Sequence, residues 1–123
     1  MTRFLIVEDD PVASRIVENI VGKDAVTVKS GLAALAIIED SLKIDEPFES
    51  IILDLGLPEM DGLEFLKALR ALENGLSVPP SYVVVITGED DIGVYADAHL
   101  LGCNTFLSKP LNPEELRNCL NLV

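Results

Sequence analysis

Five short apolar runs rich in β-branched residues recur along this chain, Phe4 to Val7, Ala25 to Val28, Ile51 to Leu53, Tyr82 to Ile86 and Thr105 to Leu107, and helix-like stretches follow them. Runs of this length between polar turns read as strands, and their alternation with helices marks βα units and a parallel sheet. Crossovers between parallel strands are right-handed, which leaves an α/β three-layer sandwich with helices on both faces. For a five-stranded chain of 123 residues, the doubly wound order 2-1-3-4-5 fits best.

The helices carry their own start and stop signals. Asp10 caps the first and Pro11 enters its first turn, with Val12, Ile16 and Ile20 along one face and Gly22 at the end. The second is expected from about Leu32 to Asp40, carrying Leu32, Leu35, Ala36 and Ile38, and the polar stretch from Ser41 to Ser50, broken by Pro47, reads as a loop. The third starts near Gly62 behind Asp61, shows a drifting stripe of Leu63, Leu66, Leu69 and Leu72, and stops at Asn74 and Gly75. Glu89, Asp90 and Asp91 suit the N-terminus of a fourth helix that ends near Gly102 and exposes His99. Asn112 caps the fifth, Pro113 enters its first turn, and Leu116 and Leu120 point inward.

Composition narrows the function classes. A net charge of -12, from 21 acidic against 9 basic residues, excludes a broad basic surface for nucleic-acid backbones, so any DNA contact is indirect. At 49% hydrophobic residues the chain is too apolar for disorder. No apolar run approaches the roughly 18 residues that span a bilayer, and Glu8, Asp9 and Asp10 interrupt any leader-like pattern at the N-terminus. Cys103 and Cys119 lack metal-site spacing and read as small reduced hydrophobes, which suits the cytoplasm. The expectation is one domain over residues 1–123, without a membrane contact.

The chemistry collects at the carboxyl ends of the strands. Glu8 and Asp9 follow the first, Asp54 ends the third, Thr87 follows the fourth and Lys109 the fifth. Open α/β sheets bind ligands outside those ends, at the point where strand order reverses, so the two acidic groups face each other. Converging carboxylates repel, by roughly 4 kcal/mol for a pair about 4 Å apart at an effective dielectric near 20. A divalent cation relieves that repulsion, and oxygen ligands with few protein groups favour magnesium over zinc or a caged calcium. A carboxylate beside such an ion can attack phosphorus to form an aspartyl phosphate, with Lys109 supplying a second positive charge and the Thr87 hydroxyl donating to a phosphoryl oxygen.

The runs Phe4-Leu-Ile-Val-Glu-Asp-Asp10, Ile51-Ile-Leu-Asp-Leu-Gly-Leu-Pro-Glu-Met-Asp-Gly62, Val83-Val-Val-Ile-Thr-Gly88 and Phe106-Leu-Ser-Lys-Pro110 resemble, in order, the motifs of response-regulator receiver domains. The resemblance covers nearly the whole chain and implies a flavodoxin-like, CheY-like fold. It implies Asp54 as phosphoacceptor, Asp9 with Glu8 as the metal-binding acidic pair, the Gly56 carbonyl as a further ligand, and Thr87 and Lys109 on the phosphoryl group. It also implies a cis bond before Pro110, and a switch in which Thr87 and then the aromatic Phe106 move inward. The face of the fourth helix, fifth strand and fifth helix changes with them.

The partners implied are a sensor histidine kinase or a histidine phosphotransfer protein, with an output domain or downstream protein beyond, and dimerisation open. Such a domain is a signalling switch rather than an enzyme with an external substrate. Two departures stand out: Gly88 where alanine is more usual, and Glu8 where aspartate is common. Three other readings remain beside this one: an aspartyl-phosphate phosphohydrolase, which would need a second acid where Gly56 stands, a flavodoxin-type binding module, and a docking receiver that is never phosphorylated.

Overall fold

The computed structural model describes residues 3–88 and 92–122. Five parallel strands, β1 (Phe4–Val7), β2 (Ala25–Val28), β3 (Ser50–Asp54), β4 (Tyr82–Thr87) and β5 (Thr105–Ser108), alternate with α1 (Pro11–Val21), α2 (Gly31–Lys43), α3 (Gly62–Gly75), α4 (Ile92–Leu100) and α5 (Pro113–Cys119). The sheet order is β2-β1-β3-β4-β5, as the strand pattern implies. Because side chains alternate along a strand, each strand feeds two cores. Leu5, Val7, Ile51, Leu53, Val83 and Val85 pack against Ala34 and Ile38 of α2 and Phe65, Leu66 and Leu69 of α3. Phe4, Ile6, Ile52, Val84, Ile86 and Leu107 pack against Val17 and Val21 of α1 and Leu116 of α5.

The helix caps follow the sequence signals. Asp10 accepts from the Val12 amide, Asp61 from the Glu64 amide, and Asn112 from the amides of Glu114 and Glu115. Gly62 sits where only a missing side chain fits: a Cβ there would lie 2.5 Å from the Leu55 Cα. His99 is exposed, and both cysteines are free and half-buried. The expected capping of α4 by Glu89, Asp90 and Asp91 lies outside the described residues.

Several expectations give way. The face of α1 that meets the sheet carries Ser14, Val17 and Val21, while Val12 and Ile16 are exposed and Ile20 only half-buried. A strict spacing of four drifts off a 3.6-residue turn, and Val17 and Val21 hold the centre of the stripe. α2 runs on through Ser41, Leu42 and Lys43, with the Ser41 hydroxyl donating to the Ile38 carbonyl within the helix, so the loop is shorter than expected. In α2 the buried apolar residues are Ala34 and Ile38, with Leu35 half-buried and Leu32 and Ala36 exposed. Asn74 and Gly75 belong to α3, which is capped by Leu76. β3, β4 and β5 each extend to take in a polar end residue, Asp54, Thr87 and Ser108, since ladder pairing continues to the rim.

One ionic tie lies away from the rim. Glu73 of α3 is 2% exposed, pairs with Arg70 at 2.8 Å, and accepts from the Ser81 amide. Arg70 also donates to the carbonyls of Ser81, Leu101 and Gly102, and so joins α3 to the start of β4 and to the turn after α4.

Candidate functional site

Register places the site. Val7 pairs with Leu53, so Glu8 arrives beside Asp54, and Asp54 itself pairs with Ile86. Alternation then turns Glu8 and Asp54 to the α1 side of the sheet, with Ile6 and Ile52, and Lys109 to the same side two residues after Leu107. The Lys109 amide donates to the Thr87 carbonyl at 2.9 Å, which draws the turn after β5 up to the end of β4. The Lys109–Pro110 peptide bond is cis.

Glu8, Asp9 and Asp54 each offer an oxygen, and these oxygens lie within 4.8 Å of one another. Glu8 and Asp54 are buried and Asp9 is exposed, so the cluster has a closed floor and an open side. The Lys109 ammonium stands 3.6 Å from Asp54 and 3.7 Å from Glu8. Backbone amides hold the two buried acids in place: Gly56 donates to Asp54 at 3.2 Å, and Asp10 donates to Glu8 at 3.2 Å. Thr87 is buried at the adjoining strand end. Of the residues marked out in the sequence, Glu8, Asp9, Asp54, Gly56, Thr87 and Lys109 share this rim, whereas Phe106 lies two register pairs down β5 from Ser108 and Thr87, opposite Val85.

Electrostatics agree with the crowding. Burial, the hydrogen bond to Asp54 and the charge of Asp54 push Glu8 up to about 7, against the Asp10 amide and Lys109, which favour its charged form. One carboxylate too many occupies the floor, and a proton on Glu8 is the metal-free remedy. The donor set is all oxygen, anionic and open to water on one side, which fits a hard divalent cation of the magnesium type.

A pH dependence follows. With a folded pKa near 7 against an ordinary value of 4.5, Glu8 contributes stability that is fully present below about 4.5 and is lost as pH rises through about 7. A divalent cation held by Glu8 would have to displace that proton, so affinity for a cation of the magnesium type should climb between about pH 5 and 7.5 and then level. Titrations of magnesium binding across that range check this, and a flat profile would contradict it.

No sequence pattern announces the space beside the acids. A cavity of about 300 Å³ lies between the sheet and α1, walled by Val12, Ala13, Ile16 and Val17 and by Pro110 and Leu111, with Glu8, Asp54 and Lys109 at its rim. Val12 and Ile16, expected along one face of α1, are exposed here and line this space.

Comparison with known proteins places this geometry. The family model for the response regulator receiver domain matches residues 4–121. The transcriptional regulatory protein AruR of Pseudomonas aeruginosa is 30% identical over 118 residues, covering 93% of this chain and 46% of that protein. A chemotaxis protein CheY homolog of Campylobacter jejuni is 28% identical over 96% of this chain and 88% of its own length. The receiver domain of the histidine kinase CKI1 of Arabidopsis thaliana, solved in complex with Mg2+, superposes with a TM-score of 0.86 at 26% identity, over 98% of this chain and 90% of that one. The chain spans about half the length of the transcriptional regulators it matches nearly end to end. With the motifs on one rim of the expected sheet and the family model spanning nearly every residue, the chain belongs to the response regulator receiver domain family.

Proposed function

We propose that residues 1–123 act as a single cytoplasmic receiver domain in which Asp54 accepts a phosphoryl group from a phosphohistidine. The donor is a sensor histidine kinase or a histidine phosphotransfer protein, and the output is a partner or appended domain. The observation that carries the reading is the meeting of three carboxylates within 4.8 Å, with an ammonium 3.6 Å from one of them. Glu8, Asp9, Asp54 and the Gly56 carbonyl are the groups that would hold magnesium. Bound there, the ion supplies positive charge that offsets the carboxylates and the incoming phosphoryl oxygens.

The chain's own groups do the rest. The Gly56 amide, on one Asp54 oxygen, fixes the carboxylate so that the other faces the incoming group. Lys109 stands ready to pair with a phosphoryl oxygen, and the Thr87 hydroxyl to donate to another. Exposed Val12 and Ile16, beside Pro110 and Leu111, give a protein donor an apolar place to rest next to Asp54. Pairing of Thr87 with the phosphoryl group draws it toward Asp54, Phe106 follows inward, and the face formed by α4, β5 and α5 changes. The result is a population shift, limited by the differential contacts the phosphoryl group makes.

Incubation with acetyl phosphate and magnesium should add one phosphoryl mass to the intact protein, and chelation of the metal beforehand should prevent it. No mass gain under saturating donor and magnesium would overturn the reading in favour of a docking domain.

A further inference from the structure

The faces of the sheet separate the reacting groups from the residue that reports on them. Asp54, Glu8 and Lys109 lie on the α1 side, but Val85, Thr87 and Phe106 lie on the other, because Val85 pairs with Phe106 and Thr87 with Ser108. Thr87 and Phe106 are therefore diagonal neighbours on one face, and a shift of Thr87 toward Asp54 is felt next at Phe106. What covers Phe106 there is Tyr95 of α4, with ring centroids 3.9 Å apart and planes tilted by 43°. Both rings are half-buried.

Among the described side chains, α4 has few other apolar moorings to the sheet. Its fully buried side chain among the described residues is Ala98, with Val94 packed partly against the core. Its far end, in contrast, is tied firmly. Arg70 donates to the Leu101 carbonyl at 2.9 Å and to the Gly102 carbonyl at 2.8 Å, and the Val83 amide donates to the Asn104 side chain at 2.8 Å. The helix thus has a fixed foot, and the contact between Tyr95 and Phe106 holds its upper half down.

We propose that Tyr95 is a positioning residue: its ring holds Phe106 in the resting place and so sets how often the unphosphorylated protein visits the signalling arrangement. The proposal rests on the phosphorylation reading above and adds to it the element that opposes the switch. Movement of Phe106 inward breaks the ring pair, so removing the Tyr95 ring destabilises the resting state relative to the signalling one. A ring pair of this kind is worth roughly a two- to tenfold change in population. A small phosphodonor reacts with the competent fraction alone, so its rate rises by the same factor.

The test compares Tyr95→Ala and Tyr95→Phe with the parent protein. Tyr95→Ala should be phosphorylated by acetyl phosphate two to ten times faster, with magnesium affinity unchanged, while Tyr95→Phe, which keeps the ring, should match the parent. An unchanged or lower rate in Tyr95→Ala would overturn the proposal. Since that variant could also loosen α4, a second readout uses the parent protein alone. Its Tyr95 and Phe106 ring proton resonances should carry mutual ring-current shifts that disappear on phosphorylation. A phosphoryl mass gained with those shifts intact sinks the role of Tyr95 and leaves the phosphorylation reading standing, whereas absence of any mass gain sinks both.

Discussion

Arg70→Ala should destabilise the domain by about 3–5 kcal/mol, the usual result of leaving a buried charge without its partner. Glu73 keeps 3% of its side chain exposed and pairs with Arg70 at 2.8 Å, so water cannot replace the guanidinium. The loss spreads further, because carbonyls of Ser81, Leu101 and Gly102 accept from the same side chain. Against a total stability of about 5–15 kcal/mol for a domain of this kind, such a loss is a large fraction. Urea titration followed by circular dichroism measures it. Arg70→Lys should recover only part, since an ammonium cannot present the planar fork that reaches three carbonyls and a carboxylate. A midpoint within error of the parent for Arg70→Ala would show that Glu73 needs no partner.

Lys109→Ala should slow phosphorylation by acetyl phosphate by about 10²–10³-fold, the effect of removing one preorganised positive group aimed at developing charge. Lys109 pairs with both Glu8 and Asp54, and its backbone amide is tied to Thr87, so its position is fixed from two directions. Magnesium affinity should stay equal or rise, because a cation beside the carboxylates competes with the metal. Retained or raised metal affinity beside slowed phosphorylation separates a role toward the phosphoryl group from general damage to the pocket. Phosphorylation at the parent rate would remove Lys109 from the chemistry.

Sheet order, helix caps and the acidic rim were legible because each rests on a short-range rule. Apolar runs fix the strands, Asp10, Asp61 and Asn112 announce helix starts, and parallel topology brings strand ends together. Residues whose partners lie far along the chain were not legible. Nothing in the local sequence marks Arg70 or Glu73, because the Leu101 carbonyl and the Ser81 amide that they bind reach them only when the chain folds back. The contact between Tyr95 and Phe106 had no signature either, since α4 is short and apolar on several sides, so its sequence does not choose a face. Val12 and Ile16 share a spacing of four with Ile20 along one face, yet they stand exposed beside the site, off the buried stripe held by Val17 and Val21.

The most direct measurement is to find which residue carries the phosphoryl group. The parent protein and Asp54→Asn, each treated with acetyl phosphate and magnesium, are digested after the acyl phosphate has been trapped chemically, and the labelled peptide is identified by mass spectrometry. The label should lie on Asp54 in the parent, require magnesium, and be absent from the variant. A label at the same level in Asp54→Asn, or one that forms without magnesium, would contradict the assignment of Asp54 as a metal-assisted phosphoacceptor.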